Sequence, residues 1–172
     1  MIATLLDKIN VWDIITGHLR TLRDASEAKA SWYDYALFYV GPILPVVVMA
    51  TYGVRLTDTT ISVLATSLSI LAGLLFNLLV LLHTLQPPQR GEPHDGIVKK
   101  LVQELHVNIA YSIVVSLLTI LPLIVASYYG QHDMRRTALG QLAIYLCIHF
   151  GLTMGMVLKR MNAMLQDRIP QD

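Results

Sequence analysis

Asp, Glu, Lys and Arg are absent from four long stretches of this 172-residue chain: 35–52, 61–85, 107–129 and 138–158. Charged residues are only 15% of the whole, hydrophobic residues are 54%, and the mean hydropathy is +0.53. That balance excludes an ordinary soluble domain, whose core helices keep a polar face. A single cysteine, Cys147, excludes an intramolecular disulfide and any multi-cysteine metal site. Inside an apolar run it reads as a small buried side chain. A net charge of +1 supplies no overall field for a polyanion. There is also no nucleophile elbow, phosphate-binding loop, HExxH or pair of catalytic carboxylates. His83 and His106 lack zinc spacing. No enzyme, cofactor or metal is therefore expected, and the lack of acidic residues within the runs counts against proton-driven transport.

What is present is membrane-length helix. A helical span needs about 20 apolar residues, and none of the runs alternates as a barrel strand does. The expected fold is an all-α membrane protein with four transmembrane helices, preceded by a cytoplasmic amphipathic helical segment over 1–34. The four runs form a transmembrane domain over 35–158, with a cytoplasmic loop at 86–106 and a cytoplasmic tail at 159–172. Lys and Arg number ten in the N-terminal segment, this loop and the tail, against three (Arg55, Arg135, Arg136) in the other two loops. The positive-inside rule then places both termini in the cytoplasm. Trp32, Tyr33 and Tyr35 at one interface, with Tyr128 and Tyr129 at the other, agree.

Segment 1–34 has acidic residues throughout and no signal-like apolar core. Ile2, Leu5, Ile9, Trp12, Ile15, Leu19 and Leu22 recur at steps of three and four, which predicts an amphipathic helix with a break near Gly17. The preferred placement is on the inner leaflet, apolar face down. The other is beneath the bundle, as a gate. The prolines and glycines of Gln86–Gly96 end the second span, and the third resumes after them as one continuous rod. Gly41, Pro42 and Pro45 predict a kink in the first span, and Pro122 another in the third.

Three stripes of small or polar residues lie inside the spans. Ala65, Ser69, Gly73 and Asn77 are four apart on one helical face. Ala143, Cys147, Gly151 and Gly155 form a second. Both are suited to close helix packing, with Asn77 hydrogen-bonding between subunits. Asn108, Ser112, Ser116 and Thr119 form the third, and are the pore-lining candidates if copies assemble around an axis. The competing reading makes all three stripes packing within one bundle. His149 reads as a neutral imidazole bonded to a serine or carbonyl. Arg20, Arg23, Lys99, Lys100, Lys159 and Arg160 satisfy the topology rule and meet anionic lipid; in an oligomer they become candidates for an anionic ligand.

The N-terminal "LLDKINVWDIITGHLRTLR", the four spans and the ending "GLTMGMVLKRMNAML" together resemble the small membrane effectors of bacterial anti-phage defence. The layout is most similar to the channel component of Hailong-type systems, with the membrane subunit of Kiwa systems as a rival. The first resemblance implies a homotetrameric channel of the bacterial inner membrane. Its implied gating ligand is single-stranded DNA, or an oligonucleotide, made by a partner nucleotidyltransferase. Two other functions stay open: a membrane scaffold or sensor that recruits a soluble partner, and a small transporter.

Overall fold

The computed structural model describes residues 11–24, 35–84 and 93–166. They form five α-helices and one π-helical turn: α1 Trp12–Asp24, the π turn Ala36–Val40, α2 Ile43–Thr51, α3 Asp58–Thr84, α4 Pro93–Ser127 and α5 Met134–Gln166. The outer parts of the N-terminal segment, of the loop and of the tail, including Trp32 and Tyr33, fall outside the described residues.

Three helices are long and apolar enough to cross a membrane: Asp58–Thr84, Lys100–Ser127 and Met134–Asn162. At 1.5 Å per residue, the 27 residues of α3 reach about 40 Å, against a hydrocarbon thickness of about 30 Å. The expected span at 35–52 is different. Its apolar helical stretch, Ala36–Thr51, reaches only about 24 Å. The firm count is three long helices and one short one.

Local chemistry explains the ends and the interruption. Thr57 caps α3 by accepting from the Thr60 backbone N–H at 3.2 Å, and Asp133 caps α5 through the Arg135 N–H at 2.8 Å. Helix α2 closes in a Schellman motif: Val54 N–H donates to the Met49 carbonyl at 2.9 Å and Gly53 N–H to Ala50 at 3.2 Å. Gly53 takes the left-handed φ of 63° that this motif requires. In the expected kink, Pro42 has no N–H for the Phe38 carbonyl. The turn widens instead, and Gly41 N–H bonds Ala36 at 2.9 Å, five residues back. A Cβ on Gly41 would collide with the Leu37 carbonyl oxygen. Helix α4 continues from the cytoplasmic side into the span as its spacing predicts, and Pro122 lies inside it without ending it.

Packing follows heptads. Ile61, Leu68, Leu75 and Leu82 of α3 are buried seven residues apart. On α4, Val102, Leu105, Ile109, Ser112, Ser116, Thr119, Leu123 and Ala126 are buried at alternating steps of three and four. Arg136, Ala143, Phe150 and Val157 repeat the pattern on α5. Such spacing belongs to helices crossing at a shallow left-handed angle. Helix α4 is the centre: α3, α5 and α1 all pack on it, while α2 and the π turn pack on α5. At the end away from α1, buried Arg136 joins the two short loops. It donates to the carbonyls of Tyr129 and Leu56 at 3.0 and 3.1 Å and pairs with Asp58 at 2.6 Å.

Candidate functional site

Helix α1 does not lie free on a lipid surface over its described length. It runs without interruption through Gly17, because Gly17 is a contact and not a break: a Cβ there would sit 2.9 Å from Val107 Cγ1 of α4. The face seated on the protein holds Ile14, His18 and Thr21, with His18 fully buried. Trp12, on the face that periodicity marks as apolar, is 64% exposed. At 100° per residue the seated face is rotated about a third of a turn from the apolar one.

Under α1 lies a polar cluster drawn from four elements. The His18 ring stacks on Tyr111 with centroids 3.8 Å apart and planes 5° off parallel. Asn108 Oδ1 is a carboxamide oxygen and only accepts; the Thr21 hydroxyl shares its one proton between the His18 carbonyl at 2.7 Å and this oxygen at 3.0 Å. His18 Nδ1, 2.8 Å away, is then the donor to it. Its other nitrogen, Nε2, is buried with no hydrogen-bond partner, as is Asn108 Nδ2. Arg160 of α5 reaches the last turn of α1, donating from Nη2 to the Thr21 carbonyl at 2.9 Å. There a cation meets the negative end of the helix dipole. The other arm of Arg160 donates to Glu104 at 2.8 Å, and Lys100 stands 4.0 Å from the same carboxylate.

A second branch runs toward the π turn. Tyr111 Oη and His149 Nε2 are 2.8 Å apart, and His149 Nδ1 is 2.9 Å from the Phe38 carbonyl. A carbonyl only accepts, so Nδ1 carries the proton and Nε2 accepts from the tyrosine. The Phe38 carbonyl is available because the residue four ahead is Pro42. The Tyr145 hydroxyl takes the next carbonyl, Tyr39, at 3.2 Å. His149 is thus bonded to a carbonyl, one of the partners read from the sequence. Burial, before all other influences, pushes the His18 imidazole from 6.5 down to about 4; the nearby His149 and Arg160 act in the same direction and the Asn108 bond opposes them.

The pore-lining candidates Asn108, Ser112, Ser116 and Thr119 are all wholly buried inside one protomer. Within one protomer they lie in the seam between helices, the placement given by the competing reading of packing within one bundle. Ser112, Ser116 and Thr119 bond carbonyls of their own helix at 2.7–2.8 Å, which lets hydroxyls sit in a dry seam. Asn108 belongs to the cluster instead. The packing candidates are placed the other way round. Ser69, Gly73, Asn77, Gly151 and Gly155 are exposed and Ala65 is half-buried, so the core of the protomer is not built on them. A Cβ on Gly73, Gly151 or Gly155 would meet nothing within 4 Å. Of the anionic-ligand candidates, Arg20, Lys100 and Lys159 are exposed. Arg160 is buried and engaged by Glu104. Arg23 and Lys99 lie on α1 and α4, with side chains outside those described.

Sequence reasoning missed His18, Thr21, Tyr111 and the Glu104–Arg160 pair. The available signal was the step of three between His18 and Thr21, matched by Asn108 and Tyr111. No grouping of His, Cys, Asp and Glu suited to a metal ion occurs among the described residues. Together, the fold and this site define a multi-pass α-helical membrane protein with a short amphipathic helix docked on its central helix. No protein-family model matches the chain, and no curated protein or solved structure matches it either.

Proposed function

We propose that the protein is a homo-oligomeric ion channel of the bacterial inner membrane, acting as a defence effector and held closed by α1. In this reading the short helix completes a fourth span, and bilayer thinning accommodates its length. The Lys- and Arg-rich segments, α1 among them, then face the cytoplasm. The observation that carries the reading is the seating of His18, fully buried, on the central helix that also bears the Ser112–Ser116–Thr119 seam. While α1 is docked, that seam is sealed inside the protomer. Release of α1 removes the Asn108 and Arg160 contacts and frees α4 to turn the hydroxyls toward an axis between copies.

The outward faces support assembly. Ala65, Ser69, Gly73 and Asn77 leave room for a neighbouring helix, and a carboxamide in hydrocarbon is satisfied by an identical carboxamide on a second copy. Exposed Arg20, Lys100 and Lys159 offer an anionic nucleic acid or nucleotide its contacts at the same cytoplasmic end, so a ligand bound there acts beside α1. Potassium flux from liposomes holding the purified protein tests the reading. Gly17→Leu, which drives α1 away from Val107, should raise flux at least tenfold over the wild type. No flux from either protein would replace the channel with a membrane scaffold that presents α1 to a soluble partner.

A further inference from the structure

The docked state of α1 contains a nitrogen that is costly to protonate where it lies. Asn108 Oδ1 already accepts from Nδ1 of His18, so an incoming proton must go to Nε2. That atom is buried and has no acceptor. A proton there creates a cationic N–H that is buried and has no acceptor on the protein, a costly arrangement in any interior. Undocked, the same N–H meets water.

We infer that α1 is a proton-operated latch: protonation of His18 releases the helix from α4 and α5 as the cytoplasmic pH falls. The inference rests on the reading of α1 as a movable element and names what moves it.

Burial and the Arg160 guanidinium oppose a charge on His18, while the Asn108 oxygen at Nδ1 and the Tyr111 ring face favour it without outweighing them. Helix α4 offers the Tyr111 ring face and the Asn108 amide. Helix α5 offers His149 and the Arg160 guanidinium. The π turn offers the Phe38 ring, edge-on at 6.5 Å. Tyr35 donates to the Leu19 carbonyl of α1 at 3.4 Å and adds no charge. The one anion in this cluster, Glu104, is engaged by Arg160 and Lys100. Protonation therefore also sets two cations, His18 and Arg160, against each other at the C-terminal half of α1. Nothing comparable holds at His149, where Nε2 accepts from Tyr111 and Nδ1 donates to a carbonyl.

The direction follows from linkage. The docked form holds His18 near 4, below its free value of 6.5, so the undocked form binds more protons between those values. Docking is complete above the free value and is lost as pH falls through this window. At pH 5 the docking constant should be about 20-fold below its value at pH 7 and approaching 30-fold below its value at pH 7.5.

The test reads docking and not conduction. In a Cys147→Ser background, Ile14→Cys places a thiol on the seated face of α1 and Asp13→Cys an exposed thiol beside it. The ratio of their modification rates by a methanethiosulfonate reagent is a protection factor from which the pH dependence of thiol reactivity cancels. The expected result is a fall of about 30-fold in protection from pH 7.5 to pH 5, absent when His18→Gln or His18→Phe is added. A flat profile, or an equal fall in both His18 variants, overturns the latch. Should both variants leave α1 unprotected at every pH, the wild-type midpoint decides: within 4–6.5 it supports the latch, elsewhere it overturns it. Protection that responds to pH without any liposome flux would reject the channel and keep the latch; flux with flat protection would do the reverse.

Discussion

Glu104→Gln isolates the ion pair that ties α1 to the bundle. Arg160 is 8% exposed and its two arms serve Glu104 and the Thr21 carbonyl. Removing the carboxylate charge leaves a guanidinium out of water with an amide in its place. Breaking one partner of a buried pair costs about 3–5 kcal/mol. The Glu104 side chain retains 17% exposure, so water relieves part of that, and a loss of about 2–3 kcal/mol is expected. Lys100 provides the internal contrast. It is 62% exposed and 4.0 Å from the same carboxylate, so Lys100→Met should cost under about 0.5 kcal/mol. The double replacement Glu104→Leu with Arg160→Met removes both charges and should recover most of the loss. Thermal unfolding in a fixed detergent, followed by far-UV circular dichroism, ranks the four proteins. Protection of an α1 thiol should fall with the single change and not with Lys100→Met. If Glu104→Gln melts with the wild type and keeps α1 protected, the pair is not buried in the working protein and the attachment of α1 has been misread.

Gly41→Ala forces a side chain into the Leu37 carbonyl and should lower the melting temperature by at least 5 °C, read by the same unfolding assay. Asn77→Leu and Gly73→Leu alter an outward face with open space around Gly73, so the melting of the protomer should hold while the assembled species dissociates on size-exclusion chromatography with light scattering. Unchanged assembly in both would take that face of α3 out of the interface. His149→Phe strands the Phe38 carbonyl and takes one partner from the Tyr111 hydroxyl, with an expected loss of about 1–3 kcal/mol in unfolding.

The apolar helices were legible in the sequence because hydrocarbon imposes a length and a ban on charge that any reader can count. Expected spans at 61–85, 107–129 and 138–158 lie on α3, α4 and α5, matching the helix ends to within two residues at 85 and 129, and elsewhere the helices extend further. The run at 35–52 passed the same count, yet Pro42 and Gly41 turn part of it into a π turn, which hydropathy does not register. Inside the membrane the inference was weaker, for a physical reason. Small and hydroxylated residues suit a helix contact, a pore wall and a lipid-facing surface alike, so Ser112 and Ser69 look identical in sequence although one is buried and the other exposed. The same limit applied to α1. Periodicity finds the face that avoids water, and that face is satisfied by lipid as well as by protein. Ile15 of the apolar face does pack on the protein, but the buried polar contacts of docking fall to His18 and Thr21, which hydrophobic periodicity assigns to the other side.

The polar cluster is also ordered by a single feature of the first span. Pro42 withholds an N–H, so the Phe38 carbonyl is left to a partner outside its own helix. His149 Nδ1–H meets that carbonyl, which leaves Nε2 as an acceptor. Tyr111 must then donate to it, and its hydroxyl has no second proton for any neighbour. What remains of Tyr111 for α1 is the face of the ring, on which His18 stacks while its one N–H goes to Asn108. Each assignment removes a choice from the next, and at the end of the series His18 Nε2 has no donor or acceptor left to meet. A histidine with an accessible acceptor at that nitrogen would hold α1 in place at any pH. The proline in the opening span thus sets the hydrogen-bond direction that leaves α1 sensitive to protons, through two histidines that are 131 positions apart in the sequence.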